Sequence, residues 1–136
     1  MKEVDITLYG ATGFTGQYVL QHALSLLGLA IGEKRDFPRL AIAGRSMDRL
    51  SLLLERISSS SSVSEVESNK EQLKQRVRLI EADANNPESL AKMAKLSRVV
   101  INLTGPYRTL GEPVVKACIE NNCDYVDITG EPEVSK

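Results

Sequence analysis

Apolar residues in this chain cluster into short, nearly unbroken runs, and between the runs they recur three and four positions apart. The first run, Val4-Asp5-Ile6-Thr7-Leu8-Tyr9, predicts a strand. After Gly16, residues Val19, Leu20, Ala23, Leu24 and Leu27 share one helical stripe, so an amphipathic helix is expected to end near Gly28. His22 falls outside that stripe, which predicts a solvent-facing side chain without an acid–base role. A polar loop with Gly32, Lys34, Arg35 and Asp36 leads through Pro38 to a second strand, Arg39-Leu40-Ala41-Ile42-Ala43, broken at Gly44. Ser46 is placed to cap a helix whose core stripe is Leu50, Leu53, Leu54 and Ile57.

The pattern lapses in the serine run from Ser58 to Ser62 and the polar tract Ser64-Glu65-Val66-Glu67-Ser68-Asn69-Lys70-Glu71. Such residues bury too little apolar area to offset the entropy of ordering them, so 58–75 is expected to be a flexible insertion, with helix returning only from Glu71 to Gln75. Val77-Arg78-Leu79-Ile80-Glu81-Ala82 predicts a third strand. Asn86 and Pro87 form a cap and first-turn pair for a helix carrying Leu90, Met93, Ala94 and Leu96. Val99-Val100-Ile101-Asn102-Leu103 reads as a central parallel strand covered on both faces. Pro113 is expected to open the next helix, with Val114, Val115, Cys118 and Ile119 facing inward, before a fifth strand at Asp124-Tyr125-Val126-Asp127-Ile128. Five strands separated by four helical segments, without hairpin signals, imply a doubly wound α/β fold with a parallel sheet in the order 3-2-1-4-5.

Composition narrows the function. A length of 136 residues fits one domain, and a net charge of −1 predicts no attraction to nucleic acid or anionic membranes. The longest apolar window, Leu24 to Ile31, is too short to span a bilayer, and Met1-Lys2-Glu3-Val4-Asp5 lacks the shape of a signal peptide, so a cytoplasmic or organelle-surface protein is expected. Cys118 and Cys123, the only cysteines, match neither a redox nor a metal-ligand spacing; they read as reduced packing residues, and no metal is expected.

The chemistry concentrates where strands end. Gly10-Ala11-Thr12-Gly13-Phe14-Thr15-Gly16 joins the first strand to the first helix, where a Rossmann domain holds a dinucleotide pyrophosphate. Gly10 and Gly13 are expected to let the backbone bend sharply toward the phosphates, and Gly16 to let the helix lie against the strand. Thr12, Phe14 and Thr15 offer backbone donors at a helix N-terminus, the ring of Phe14 itself reading as a packing group. At the end of the second strand, Ala43-Gly44-Arg45-Ser46 carries no carboxylate for a ribose hydroxyl pair. Arg45 and Ser46 instead suit the 2′-phosphate of NADP. After the third strand, Asp83 and Ala84 stand where an adenine edge is met, although Asp83 serves equally as a helix cap. After the fourth, Thr104, Gly105, Pro106 and Tyr107 lie toward the nicotinamide half, and Tyr107 lacks a lysine or acid that would tune it as a proton donor. No residue is assigned a catalytic role; Asp127 and Glu131, on the same edge, read as a loop contact and a helix-start anion.

Tyr9-Gly-Ala-Thr-Gly-Phe-Thr-Gly16, Leu40-Ala-Ile-Ala-Gly-Arg-Ser46, Ile101-Asn-Leu-Thr-Gly-Pro-Tyr107 with Gly111-Glu-Pro-Val-Val115, and Cys123-Asp-Tyr-Val-Asp-Ile-Thr-Gly-Glu-Pro132 together resemble the saccharopine-dehydrogenase-like oxidoreductases, over nearly the whole chain. The resemblance implies an N-terminal NADP(H)-binding Rossmann half followed by a larger substrate domain, with eukaryotic members linked to lipid droplets or other membranes. Bacterial relatives of this kind are similar to trans-acting enoyl reductases, and saccharopine reductases act on an amino-acid adduct. The expected function is therefore the cofactor half of a reductase passing hydride to an imine or enoyl-type, lipid-related substrate; the alternative from another class is a non-enzymatic NADP(H) sensor or scaffold. The sequence stops at Lys136, where such a domain would continue into a further helix and strand, so the substrate domain is expected to be absent and the chain not catalytically competent alone. The uncovered sheet edge makes a homodimer an expectation.

Overall fold

The computed structural model describes residues 2–60, 67–104 and 107–127, leaving aside the side chains of 67–69 and 107–110. Strands β1 (Val4–Tyr9), β2 (Leu40–Gly44), β3 (Val77–Glu81), β4 (Ser97–Asn102) and β5 (Asp124–Asp127) pair in parallel in the order β3-β2-β1-β4-β5. The doubly wound order expected from the sequence is thus the one observed.

Side-chain alternation along each strand divides the interior into two layers. Leu40 and Ile42 of β2 join the layer that packs against α1 (Phe14–Gly32), α2 (Met47–Ser58) and α3 (Glu67–Arg76). Ala41 and Ala43, their neighbours, point the other way, to the layer packed against α4 (Pro87–Leu96) and α5 (Tyr107–Glu120). Leu20, Leu24 and Leu27 bury one face of α1, each stabilising by about 1.5–3 kcal/mol on removal from water. Ser46 accepts from the Arg49 amide at 3.2 Å, and Asn86, followed by Pro87, accepts from Ser89 at 3.3 Å, so both expected caps form. Cys118 and Cys123 are buried, free thiols in the second layer, and the adjacent Cys123 sulfur together with burial pushes the Cys118 thiol up.

Several element boundaries differ from expectation. Helix α1 passes through Gly28 and ends only at Gly32, because Ala30 continues the buried stripe and its packing outweighs the roughly 1 kcal/mol that an interior glycine costs. The chain then turns at Lys34, whose φ of 55° lies in the left-handed region, with the Arg35 amide donating to the Ala30 carbonyl at 2.8 Å. Helix α3 begins at Glu67 and so occupies much of the stretch expected to be flexible. Its single large apolar residue, Leu73, is wholly buried in the first layer, while Lys70 and Lys74 both pair with Glu55 of α2. Pro113 does not open α5 but lies inside it, so one helical hydrogen bond is forgone. Ile119, expected to face inward, is 73% exposed.

Candidate functional site

The crossovers out of β1 and β4 leave on opposite faces of the sheet, which opens a crevice beyond their carboxyl ends. Gly10 begins the turn there at φ +88°, with its amide donating to the Ala43 carbonyl at 2.9 Å. A Cβ at this position would strike the Thr104 methyl and lie 3.0 Å from the Thr104 amide, so neither the torsion nor the space admits another residue. Gly16 answers to a different demand: a Cβ would run into the Gly10 carbonyl and come within 2.7 Å of the Ala11 Cα, so the first turn of α1 lies directly on the β1 turn. Gly13 corrects the expectation of a sharp bend at the second glycine. Its torsions, φ −73° and ψ 172°, suit any residue, and a Cβ there would make only an ordinary contact, 3.4 Å from the Gly10 carbonyl oxygen.

Gly13 is also the N-cap of α1, so no side chain caps the helix, and its first turn holds no acidic residue. The amides of Phe14, Thr15 and Gly16 and the positive end of the helix dipole are therefore directed at whatever anion enters the crevice. Gln17 steadies this turn, donating to the Thr12 carbonyl at 3.0 Å while accepting from Arg56 at 2.9 Å. The Phe14 ring is not packed into the core as expected; it is 80% exposed and meets Tyr18 edge-on at 5.3 Å.

At the end of β2, Thr12, Arg45, Ser46 and Arg49 line one cleft of about 450 Å³, and no carboxylate is among them. Ser46 accepts from the Arg49 amide, which leaves its O–H free in direction to donate to an oxyanion. Arg49 was not singled out from the sequence. The signal available was positional: Arg49 falls in the first turn of α2, four residues after Arg45, at the helix end that faces the close of β2.

A second cleft of about 500 Å³ shares Thr12 and Arg45 with the first and adds Tyr9, Gly10, Gly13, Phe14, Thr15, Gly44, Asp83, Ala84, Asn85, Leu103 and Thr104. Asp83 does not cap α4, since Asn86 does; its carboxylate accepts from the Asn85 amide at 2.9 Å. Tyr9 is buried beneath this cleft, and its phenol is pushed up by burial and by the nearby Asp83 charge. Its place at the cleft was not legible beforehand, because Tyr9 reads only as the last strand residue. On the β4 side, the Thr104 amide and hydroxyl both donate to the Asn102 side-chain oxygen, at 2.9 and 2.6 Å. Gly105 and Pro106 lie outside the described residues; Tyr107 begins α5, and its side chain lies outside them as well.

This donor set fits a dinucleotide diphosphate carrying an additional phosphate: a cradle that a Cβ would fill, an uncapped helix N-terminus, and two guanidiniums beside a hydroxyl. Among the described residues, no group of histidine, cysteine or acidic side chains is placed to hold a metal, and no helix is long and apolar enough to cross a membrane.

Comparison with known proteins agrees with this geometry. The family model described as "Saccharopine dehydrogenase NADP binding domain" matches residues 6–135. The chain is 40% identical over 132 residues to a saccharopine dehydrogenase-like oxidoreductase of Bos taurus, covering 97% of this chain and 29% of the relative. It is 38% identical over 130 residues to a trans-acting enoyl reductase of Mycobacterium leprae, covering 96% of this chain and 26% of the relative. The chain thus spans under a third of the length of these relatives. Among solved structures, apo saccharopine dehydrogenase of Saccharomyces cerevisiae superposes with a TM-score of 0.62 at 22% identity, covering 97% of this chain and 23% of that one, a likeness of fold. With the glycine cradle, the paired arginines and the parallel sheet already in place, the match over residues 6–135 shows that the chain belongs to the saccharopine dehydrogenase NADP-binding domain family, and that its cofactor is NADP.

Proposed function

We propose that this chain is the cofactor-holding part of an NADP(H)-dependent reductase whose acceptor is an imine or an activated enoyl group. NADPH supplies the hydride; the residues described here bind and orient it. Phe14, Thr15 and Gly16 hold the pyrophosphate on their amides, aided by the Thr12 and Thr15 hydroxyls. Arg45, Arg49 and Ser46 take the 2′-phosphate, and the carboxylate of Asp83 with Asn85 borders the adenine. Thr104 closes the nicotinamide side.

The single observation that carries this reading is the pair of arginines, with no carboxylate, at the end of β2. The family resemblance, which includes a trans-acting enoyl reductase, supports the acceptor class. The test is a titration of the purified protein with NADPH and with NADH, followed by nucleotide fluorescence. Binding of NADPH at least tenfold tighter than NADH is expected; equal binding of the two would remove the arginines from the phosphate, and binding of neither would end the proposal. The acceptor is tested on the longer relatives by NADPH consumption with imine and enoyl substrates, where activity on carbonyl compounds alone would displace it.

A further inference from the structure

Asn102, at the carboxyl end of β4 and fully buried, is the centre of a hydrogen-bond chain that runs from the cofactor cleft to the last described residue of β5. The Thr104 amide and hydroxyl meet its oxygen at 2.9 and 2.6 Å, its amide nitrogen meets the Tyr125 hydroxyl at 3.0 Å, and that hydroxyl meets the Asp127 carboxylate at 2.8 Å.

The direction of every proton in this chain is fixed by chemistry. A backbone N–H can only donate, so the Asn102 atom facing the Thr104 amide must be the oxygen, and the atom facing Tyr125 must be the NH2 group. Tyr125 therefore accepts from Asn102 and turns its own O–H to Asp127, whose carboxylate accepts it. At the other end, the Thr104 hydroxyl faces an oxygen that can only accept, so its proton is committed inward. With that proton committed, the Thr104 hydroxyl can act toward the cleft this residue lines only as an acceptor.

We infer that Asp127, Tyr125 and Asn102 form a positioning relay that fixes the Thr104 hydroxyl as an acceptor for a hydrogen-bond donor on the nicotinamide nucleoside half of the cofactor. This rests on the NADP(H) reading of the cleft, and it adds to it a defined polarity and three residues remote from the glycine turn. The relay selects a ligand bearing a hydroxyl or amide N–H at that point and disfavours one presenting an acceptor. Aligned hydrogen bonds reinforce one another in a buried setting, so each link strengthens the next.

The experiment compares affinities for NADPH and for 2′,5′-ADP, which carries the phosphate corner but no nicotinamide nucleoside, in wild-type protein and in Thr104→Val, Thr104→Ser and Tyr125→Phe. Valine keeps the methyl facing Gly10 and leaves the Thr104 amide on Asn102. Thr104→Val is expected to weaken NADPH by about tenfold, the value of one lost hydrogen bond, with 2′,5′-ADP unchanged. Thr104→Ser is expected to stay close to wild type, and Tyr125→Phe to lose about threefold for NADPH only, through a loosened Asn102. If Thr104→Val or Tyr125→Phe leaves NADPH affinity unchanged, or weakens both ligands alike, the relay is overturned while the phosphate site stands. If wild-type protein binds neither ligand, the NADP(H) reading itself fails.

Discussion

Arg45 and Arg49 line one cleft on either side of the Ser46 cap, so the proposed 2′-phosphate would meet one guanidinium from the strand end and one from the helix start. Charge-assisted hydrogen bonds of this kind contribute about 1.5–3 kcal/mol, so Arg45→Ala is expected to weaken NADPH by roughly ten- to hundredfold. NADH, lacking the extra phosphate, should change little in the same titration, and an equal loss for both nucleotides would place Arg45 elsewhere. The candidate residues at this corner stood out because a missing acid and a present base pointed the same way, and Arg45 and Ser46 do line one cleft. Orientation was not legible: the unstrained torsions of Gly13, the exposed Phe14 ring and the burial of Tyr9 near Asp83 depend on torsions and on distant partners, which no spacing in the chain encodes.

Helices showed most clearly what periodicity can and cannot report. The stripe of α2 and its Ser46 cap were plain in the sequence, as was the Asn86 cap of α4, since each has local chemistry that fixes it. The helix α3 was legible only in its last turns, because it carries one buried leucine and is otherwise held by ion pairs to another helix. Leu73→Ala is therefore expected to cost about 2–5 kcal/mol, measured by denaturant unfolding, as for other fully buried leucines. Hydrogen bonds from Lys74 and Lys70 hold the Glu55 carboxyl near 2, below its ordinary 4.5. A lowered folded-state value means that the contribution is complete above pH 4.5 and disappears as the pH falls toward 2. The melting temperatures of wild-type protein and Glu55→Gln should accordingly differ at pH 6 and converge near pH 2, with the gap narrowed by salt because the pair is solvent-exposed.

The molecule as a whole is a parallel sheet walled on both sides, with its ligand crevice at the rim where β1 and β4 diverge. That arrangement followed from apolar runs separated by helical stripes and no hairpin turns, which leave a doubly wound order as the topology they fit. Because the proposed cofactor contacts lie at the ends of β1, β2, β3 and β4, binding is expected to favour the folded state of the entire sheet. NADPH at about one hundred times its Kd should stabilise by about 2.7 kcal/mol and raise the melting temperature by several degrees; an unmoved transition would contradict the assignment. The network from Thr104 to Asp127 was invisible at this scale in the sequence, since it depends on the β4–β5 register that sets Asn102 beside Asp127. One consequence lies in the contact between Gly10 and Thr104, where the bend proposed to hold the diphosphate rests against the residue proposed to face the nicotinamide. A single methyl group added at position 10 would wedge these apart, so on the proposed binding mode the two ends of the ligand share one separation set by an atom that is missing, and Gly10→Ala should loosen both at once.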